Sequence, residues 1–186
     1  MRIKLTDVRL SYPKLWKAEE FKPGDGKPRY SASFHIEPGS ANDKLILDAI
    51  KSEAEEKFGQ KAALYIDTWK NNSQKTCYVT GDLKDDPHSA GKMILSCHRQ
   101  KKDGPPTVVD ANRAPLEEGA GKPYGGCYVD AIVEIYAQTG ENPGIRAGFA
   151  GVQFRRDGEA FGGGVAAKVE EFDDLSDGTG DGGGLL

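Results

Sequence analysis

The 186 residues, 37% hydrophobic and 29% charged, are enough for one packed core and too few for two full-sized domains. No apolar run approaches the ~20 residues of a membrane-spanning helix, and Met1–Leu5 alternates apolar and polar residues where a signal peptide needs an apolar core, so a cytoplasmic protein without membrane contact is expected. The net charge of −4 is unevenly spread: Glu170, Glu171, Asp173, Asp174, Asp177 and Asp181 fall in the last 17 residues, which lack Lys and Arg, while residues 1–169 hold all 25 basic and the other 23 acidic residues, a net +2.

From Arg2 to Tyr12 apolar residues alternate, with a phase slip at Thr6-Asp7 that predicts a bulged strand ended by Pro13. Lys14 to Pro28, with Pro23-Gly24, Gly26 and Pro28, reads as a connecting loop. Arg29–Ile36 is a second strand, because Tyr30, Ala32, Phe34 and Ile36 share one face and Arg29, Ser31, Ser33 and His35 the other. Ser40 to Gly59 is the principal helix: Ser40 or Asn42 can cap it, Ile46, Ala49, Ile50, Ala54 and Phe58 recur at helical spacing, and Gly59 can close it. Gln60–Lys70 fits a second helical piece or an extended one. Further strands are expected at Thr76–Thr80, Met93–Gln100, Thr107–Ala111, Cys127–Gln138 and Gly144–Arg155, separated by turn signals such as Asp103-Gly104-Pro105-Pro106. Glycine and aspartate dominate after Phe172, which predicts disorder. The expected organisation is one domain over 1–168 and an acidic tail over 169–186.

No catalytic constellation stands out. There is no nucleophile elbow, phosphate loop or zinc-protease helix, and Gly158–Gly164 lacks the Lys-Ser/Thr of a phosphate loop, so it reads as a hairpin or tail hinge. Asp85-Asp86-Pro87-His88 fits a solvated proline turn better than a metal site. Cys77, Cys97 and Cys127 are odd in number and widely spaced, which fits buried thiols in a reducing compartment. Zinc bound with His35, His88 or His98 is the alternative, against which no pair has short ligand spacing. No cofactor, metal or enzymatic activity is expected.

What the sequence does offer is aromatic residues interleaved with basic ones, the mixture with which proteins hold single strands: cations track the backbone and rings stack on bases. The candidates are Tyr12, Lys14, Trp16, Lys17, Arg29, Trp69, Lys70, Arg99, Lys101, Arg113, Lys122, Tyr124, Arg146, Phe149 and Arg155. Tyr30, Phe34 and Phe58 lie on apolar faces and are assigned to the core, whereas Trp16 and Tyr124 sit in polar, loop-like contexts that favour exposure.

Val8-Arg9-Leu10-Ser11-Tyr12-Pro13, Arg29-Tyr30-Ser31-Ala32-Ser33-Phe34, the stretch Tyr124 to Ala131, and Gly148 to Gly158 resemble a family of tailed-phage proteins whose characterised members bind single-stranded DNA through an OB fold. The resemblance spans nearly the whole chain. It implies a five-stranded OB-type β-barrel with one principal helix and extended loops, binding single-stranded DNA with little sequence preference during phage replication or recombination in the host cytoplasm. It also implies that the acidic tail competes with DNA for the basic groove and recruits replication or recombination proteins. Here the sequence closes on Leu185-Leu186, not on the phenylalanine of bacterial relatives. Oligomeric state stays open, a dimer among the alternatives. A phage structural virion or host-interaction protein is the second reading, and a nuclease using Asp82, Asp85 and Asp86 the third.

Overall fold

A computed structural model of the chain describes residues 1–24 and 26–162. The expected tail and its six carboxylates lie outside the described residues, as does the 168/169 boundary. Seven strands and two helices follow in the order β1 (Arg2–Glu19), β2 (Arg29–Ile36), α1 (Ala41–Phe58), α2 (Ala62–Trp69), β3 (Tyr78–Thr80), β4 (Met93–Gln100), β5 (Thr107–Val109), β6 (Tyr128–Gln138) and β7 (Gly144–Arg156). The hydrogen-bonded order is β3-β4-β2-β1-β6-β7-β5, and an additional parallel pairing of β4 with β7, His98 opposite Gly148, closes the sheet. Strands β1, β2, β4, β6 and β7 therefore form a five-stranded closed barrel of OB type, as the resemblance implies, with β3 and β5 extending its edges.

Alternation builds the interior. On β2 Tyr30, Ala32, Phe34 and Ile36 are buried, and on β6 Val129, Ala131, Val133 and Ile135 meet them with Leu5 and Leu10 of β1. Burying each large member fully is worth about 1.5–3 kcal/mol. Cys77, Cys97 and Cys127 are free and buried in this interior, and loss of hydration pushes the Cys77 thiol up to about 12. Helix α1 has Ser40 as its N-cap, the hydroxyl accepting from the Asp43 amide at 3.2 Å, and it buries Ile46, Ala49, Ile50 and Ala54. The Gln60–Lys70 segment resolves as helical: Tyr65 stacks on Trp69 at 4.6 Å between ring centres, and Phe58 meets both rings edge-on.

One boundary differs from expectation. β1 does not end at Pro13 but runs on to Glu19, so the loop before β2 is only residues 20–28. Irregularities in β1 allow this, the last of them a register shift between Lys14 and Glu19 in the pairing with β2. The first, between Leu5 and Val8 in the pairing with β6, is the slip foreseen at Thr6-Asp7, and Asp7 takes a φ of 54°. The second lies between Ser11 and Lys14 in the pairing with β2, with Tyr12 at a φ of 47°. A proline inside a bulge removes no ladder donor, so Pro13 is tolerated there. Continuation of the strand turns Leu15 inward and leaves Trp16 partly buried against the core, not exposed.

Candidate nucleic-acid interface

Because β2 turns its even-numbered side chains inward, Arg29, Ser31, Ser33 and His35 point away from the barrel interior, the first three partly exposed and His35 covered to 7% exposure by the Phe161 ring. Pairing with β4 sets Gln100, His98 and Ser96 opposite Arg29, Ser31 and Ser33, and the hydroxyls of Ser33 and Ser96 are 3.3 Å apart. On the other side, β1 sets Lys14, Ser11 and Arg9 opposite Ser31, Ser33 and His35. Beyond β4, β7 carries Arg146 two residues before Gly148, the partner of His98. The result is a strip over four strands with a floor of short serines, cations at both ends, and no Asp or Glu within residues 29–36 or 93–100. These are the second and third strands of the barrel, the surface on which OB folds hold oligonucleotides. Partial loss of hydration, and then the guanidinium groups of Arg29 and Arg146, hold the His98 imidazole below its ordinary pKa. A phosphate approaching this spot would favour the charged imidazole.

The opposite face of the barrel is built differently. Asp130 on β6 is 8% exposed and accepts the Asp7 amide at 3.0 Å, Lys4 at 3.1 Å and Arg155 at 3.0 Å. Burial alone would raise its pKa, but the Asp7 amide, Lys4 and Arg155 outweigh burial and hold it below the usual carboxylate range. Arg156 adds an ion pair with Asp7 at 3.0 Å and lies 3.5 Å over the Tyr128 ring. Arg113, at a φ of 68°, lines a groove of about 420 Å³ on this side with Arg2, Lys4 and Asp130.

The fifteen candidates thus scatter. Lys14, Arg29 and Arg146 belong to the strip, Lys14 also pairing with Glu19 at 3.1 Å; Lys101 follows the end of β4, its amide bonded to the Pro28 carbonyl at 3.2 Å. Tyr12 is 67% exposed beside it, its hydroxyl 3.4 Å from Asp86. Lys17 pairs with Glu118 at 3.6 Å. Arg99 points the other way and binds the carbonyls of Asp103 and Gly104, which fastens the turn after β4. Lys122 pairs with Asp157 at 3.1 Å, and the Tyr124 hydroxyl, expected in solvent, is lodged between Asp157 and the Gly158 backbone. Arg155 serves Asp130 and Asp7. Phe149 is a core residue at 2% exposure. Trp69 is a buried residue at the end of α2, where it and Lys70 line an apolar cavity of about 680 Å³ together with Leu47, Ile50 and Ile66.

Sequence reasoning missed Arg9, Ser33, His35 and Ser96 as members of the strip, although the alternation of β2 already put Ser33 and His35 outside. Asp82 and Asp86, two of the third reading's three carboxylates, cap local turns: Asp82 accepts the Gly91 amide at 2.8 Å, and Asp86 accepts the His88 amide at 3.0 Å and the Ser89 hydroxyl at 3.1 Å.

Comparison with known proteins agrees with this fold. Residues 1–182 match the family described as Enterobacter phage Enc34, ssDNA-binding protein. Protein p50 of Acyrthosiphon pisum secondary endosymbiont phage 1 is 42% identical over 179 residues, 95% of each chain. The single-stranded DNA-binding protein of bacteriophage Enc34, solved in complex with ssDNA, superposes with a TM-score of 0.70 at 28% identity, covering 87% of this chain and 89% of that one. The gp2.5 single-stranded DNA-binding protein of bacteriophage T7 shares the fold, with a TM-score of 0.58 at 12% identity over 90% of this chain and 98% of its own.

Proposed function

The chain belongs to the Enterobacter phage Enc34 ssDNA-binding protein family, and from that premise we propose that it binds single-stranded DNA along the outer strip of β1, β2, β4 and β7. The observation that carries the placement is the acid-free pair β2 and β4, whose register lines up Arg29, His98 and Arg146 at one end and Arg9 at the other, over a serine floor. Phosphates lie against the cations, and the low floor leaves room for bases to approach the sheet. Backbone-directed contacts of this kind confer little sequence preference. The protein performs no chemistry and acts in phage DNA replication or recombination in the host cytoplasm. No described helix is long and apolar enough to cross a membrane.

The acid-rich sequence Glu170 to Asp181 competes with DNA for the strip and serves as the handle for replication or recombination proteins. Fluorescence anisotropy of a labelled oligo-dT at two salt concentrations, with the full chain and a version ending at Lys168, tests this. The expected result is binding that weakens as salt rises, with a slope of about −0.7 per phosphate neutralised, and that tightens when the acidic segment is removed. Binding by neither form contradicts the reading.

A further inference from the structure

At the Arg9 end of the strip the chain crosses its own sheet. After β7 ends at Arg156, Asp157 is held by Lys122 and Tyr124, and the backbone doubles back over the segment that leads into β6. It can approach this closely because position 126 is glycine: at its φ of 106° a Cβ would stand 2.0 Å from the Glu159 carbonyl oxygen. The Phe161 amide then donates to the Gly125 carbonyl at 2.9 Å, and Arg9 ties both sides together, Nε to the Gly126 carbonyl at 3.0 Å and Nη2 to the Glu159 carbonyl at 2.8 Å.

This places the Phe161 ring in an unusual setting for a phenylalanine. It does not join the aliphatic core. Its neighbours are the Arg9 guanidinium, 4.4 Å from the ring centre, the His35 imidazole, stacked at 5.2 Å and 26°, and the His88 imidazole at 4.4 Å and 33°. The three walls come from separate elements, and Arg9 has in the Gly126 carbonyl a partner outside residues 158–162. Arg9 is on β1, His35 on β2, and His88 on a turn fixed by Asp86, whose carboxylate accepts the His88 amide and the Ser89 hydroxyl. One cation and two flat π-faces converging on a partly open space match what a nucleobase needs: stacking surfaces with a guanidinium on its face. The slot also continues the strip, since His35 lies six residues, roughly 20 Å, along β2 from Arg29.

We propose that Arg9, His35 and His88 form a nucleobase-stacking subsite, filled by Phe161 in the DNA-free protein and vacated by it when a base of single-stranded DNA enters. The inference rests on the DNA-binding reading above and adds to it a base contact and a coupled release. One stack replaces another, so the exchange is close to balanced and the phosphate contacts along the strip decide it. Release of Phe161 also unseats residues 158–162, from which the sequence continues toward the acidic cluster.

Amide hydrogen exchange on the full chain, with and without saturating oligo-dT, tests the exchange directly. The expected result is increased protection of peptides from 29–36 and 93–100 together with at least tenfold faster exchange at the Phe161 amide, whereas an abasic oligonucleotide of equal length protects the strands and leaves Phe161 protected. Strand protection by oligo-dT with Phe161 unchanged or slower overturns the subsite and leaves DNA binding by the strip intact. No change in any peptide removes the DNA-binding reading and the subsite with it. A second measurement uses Phe161→Ala in the full chain, checked for folding by circular dichroism: it should bind oligo-dT three- to tenfold more tightly and gain nothing for the abasic strand. Equal or weaker binding of oligo-dT by the folded variant overturns the proposal.

Discussion

The two outer faces of the barrel carry similar numbers of cations and differ in what those cations are used for. On the β1, β6 and β7 side, Lys4, Arg155 and Arg156 are spent on Asp130 and Asp7, where they pin the first bulge of β1. On the side of β2 and β4 no strand residue is acidic, and Arg29, His98 and Arg146 face outward over serines. Counting basic residues therefore does not locate a nucleic-acid surface. What locates it is a run of paired strands, β2 and β4, that carries no acidic residue beneath the cations.

Breaking this contrast should have its largest effect when charge is placed on the strip itself. Ser33→Glu with Ser96→Glu adds two carboxylates to the serine floor, and an anisotropy titration should show oligo-dT affinity fall by about 2–3 kcal/mol, roughly 50-fold, at low salt. Thr107→Glu with Arg113→Glu on the other face should change affinity by less than about threefold. Asp130→Ala should do the reverse: denaturant unfolding should show a loss of about 2 kcal/mol, discounted for the half-exposed Lys4 and Arg155, while oligo-dT affinity stays within about twofold. The Asp130 contribution also has a pH signature. Its folded pKa lies below the unfolded value, so the stabilisation is complete above about pH 4 and disappears as the pH falls through the depressed value.

Smaller effects sharpen the placement. Arg29→Ala should weaken binding about five- to tenfold and make the salt slope less negative by about 0.7, the signature of one lost phosphate contact. The weakest expected effect is protonic. His98 is held below its ordinary pKa in the free protein, and a bound phosphate raises it, so binding takes up a proton and tightens as pH falls. Affinity measured at pH 6.0 should exceed that at pH 7.5 by about two- to threefold, and His98→Gln should remove the difference.

Much of this was legible before the structure. β2, α1 and the inward side of β6 follow from periodicity because each has an apolar face that is buried, β4 from the turn signals around it, and the bulge at Thr6-Asp7 showed itself as a slip in the period of β1. The extension of β1 past Pro13 did not show, because a proline at a bulge and a proline at a strand end look alike locally. The site was legible only in part. Arg29 and Arg146 could be picked as cations near aromatic residues, but so could Arg99 and Arg155, whose partners Gly104 and Asp130 come from a turn and from a different strand. Phe161, between Ala160 and Gly162 in a glycine-rich stretch, read as part of a hinge. Its seat depends on Arg9, His35 and His88, which are brought together only by the closed sheet.

The central claim is that DNA follows the strip over β2 and β4. Photo-crosslinking of the full chain to an oligonucleotide bearing 5-bromodeoxyuridine, with the modified peptides identified by mass spectrometry, tests it most directly. The account predicts crosslinks concentrated in peptides containing His35, His98 and Tyr12. Crosslinks concentrated instead around Thr107–Arg113 and β6, or in α2 at Tyr65 and Trp69, would contradict it.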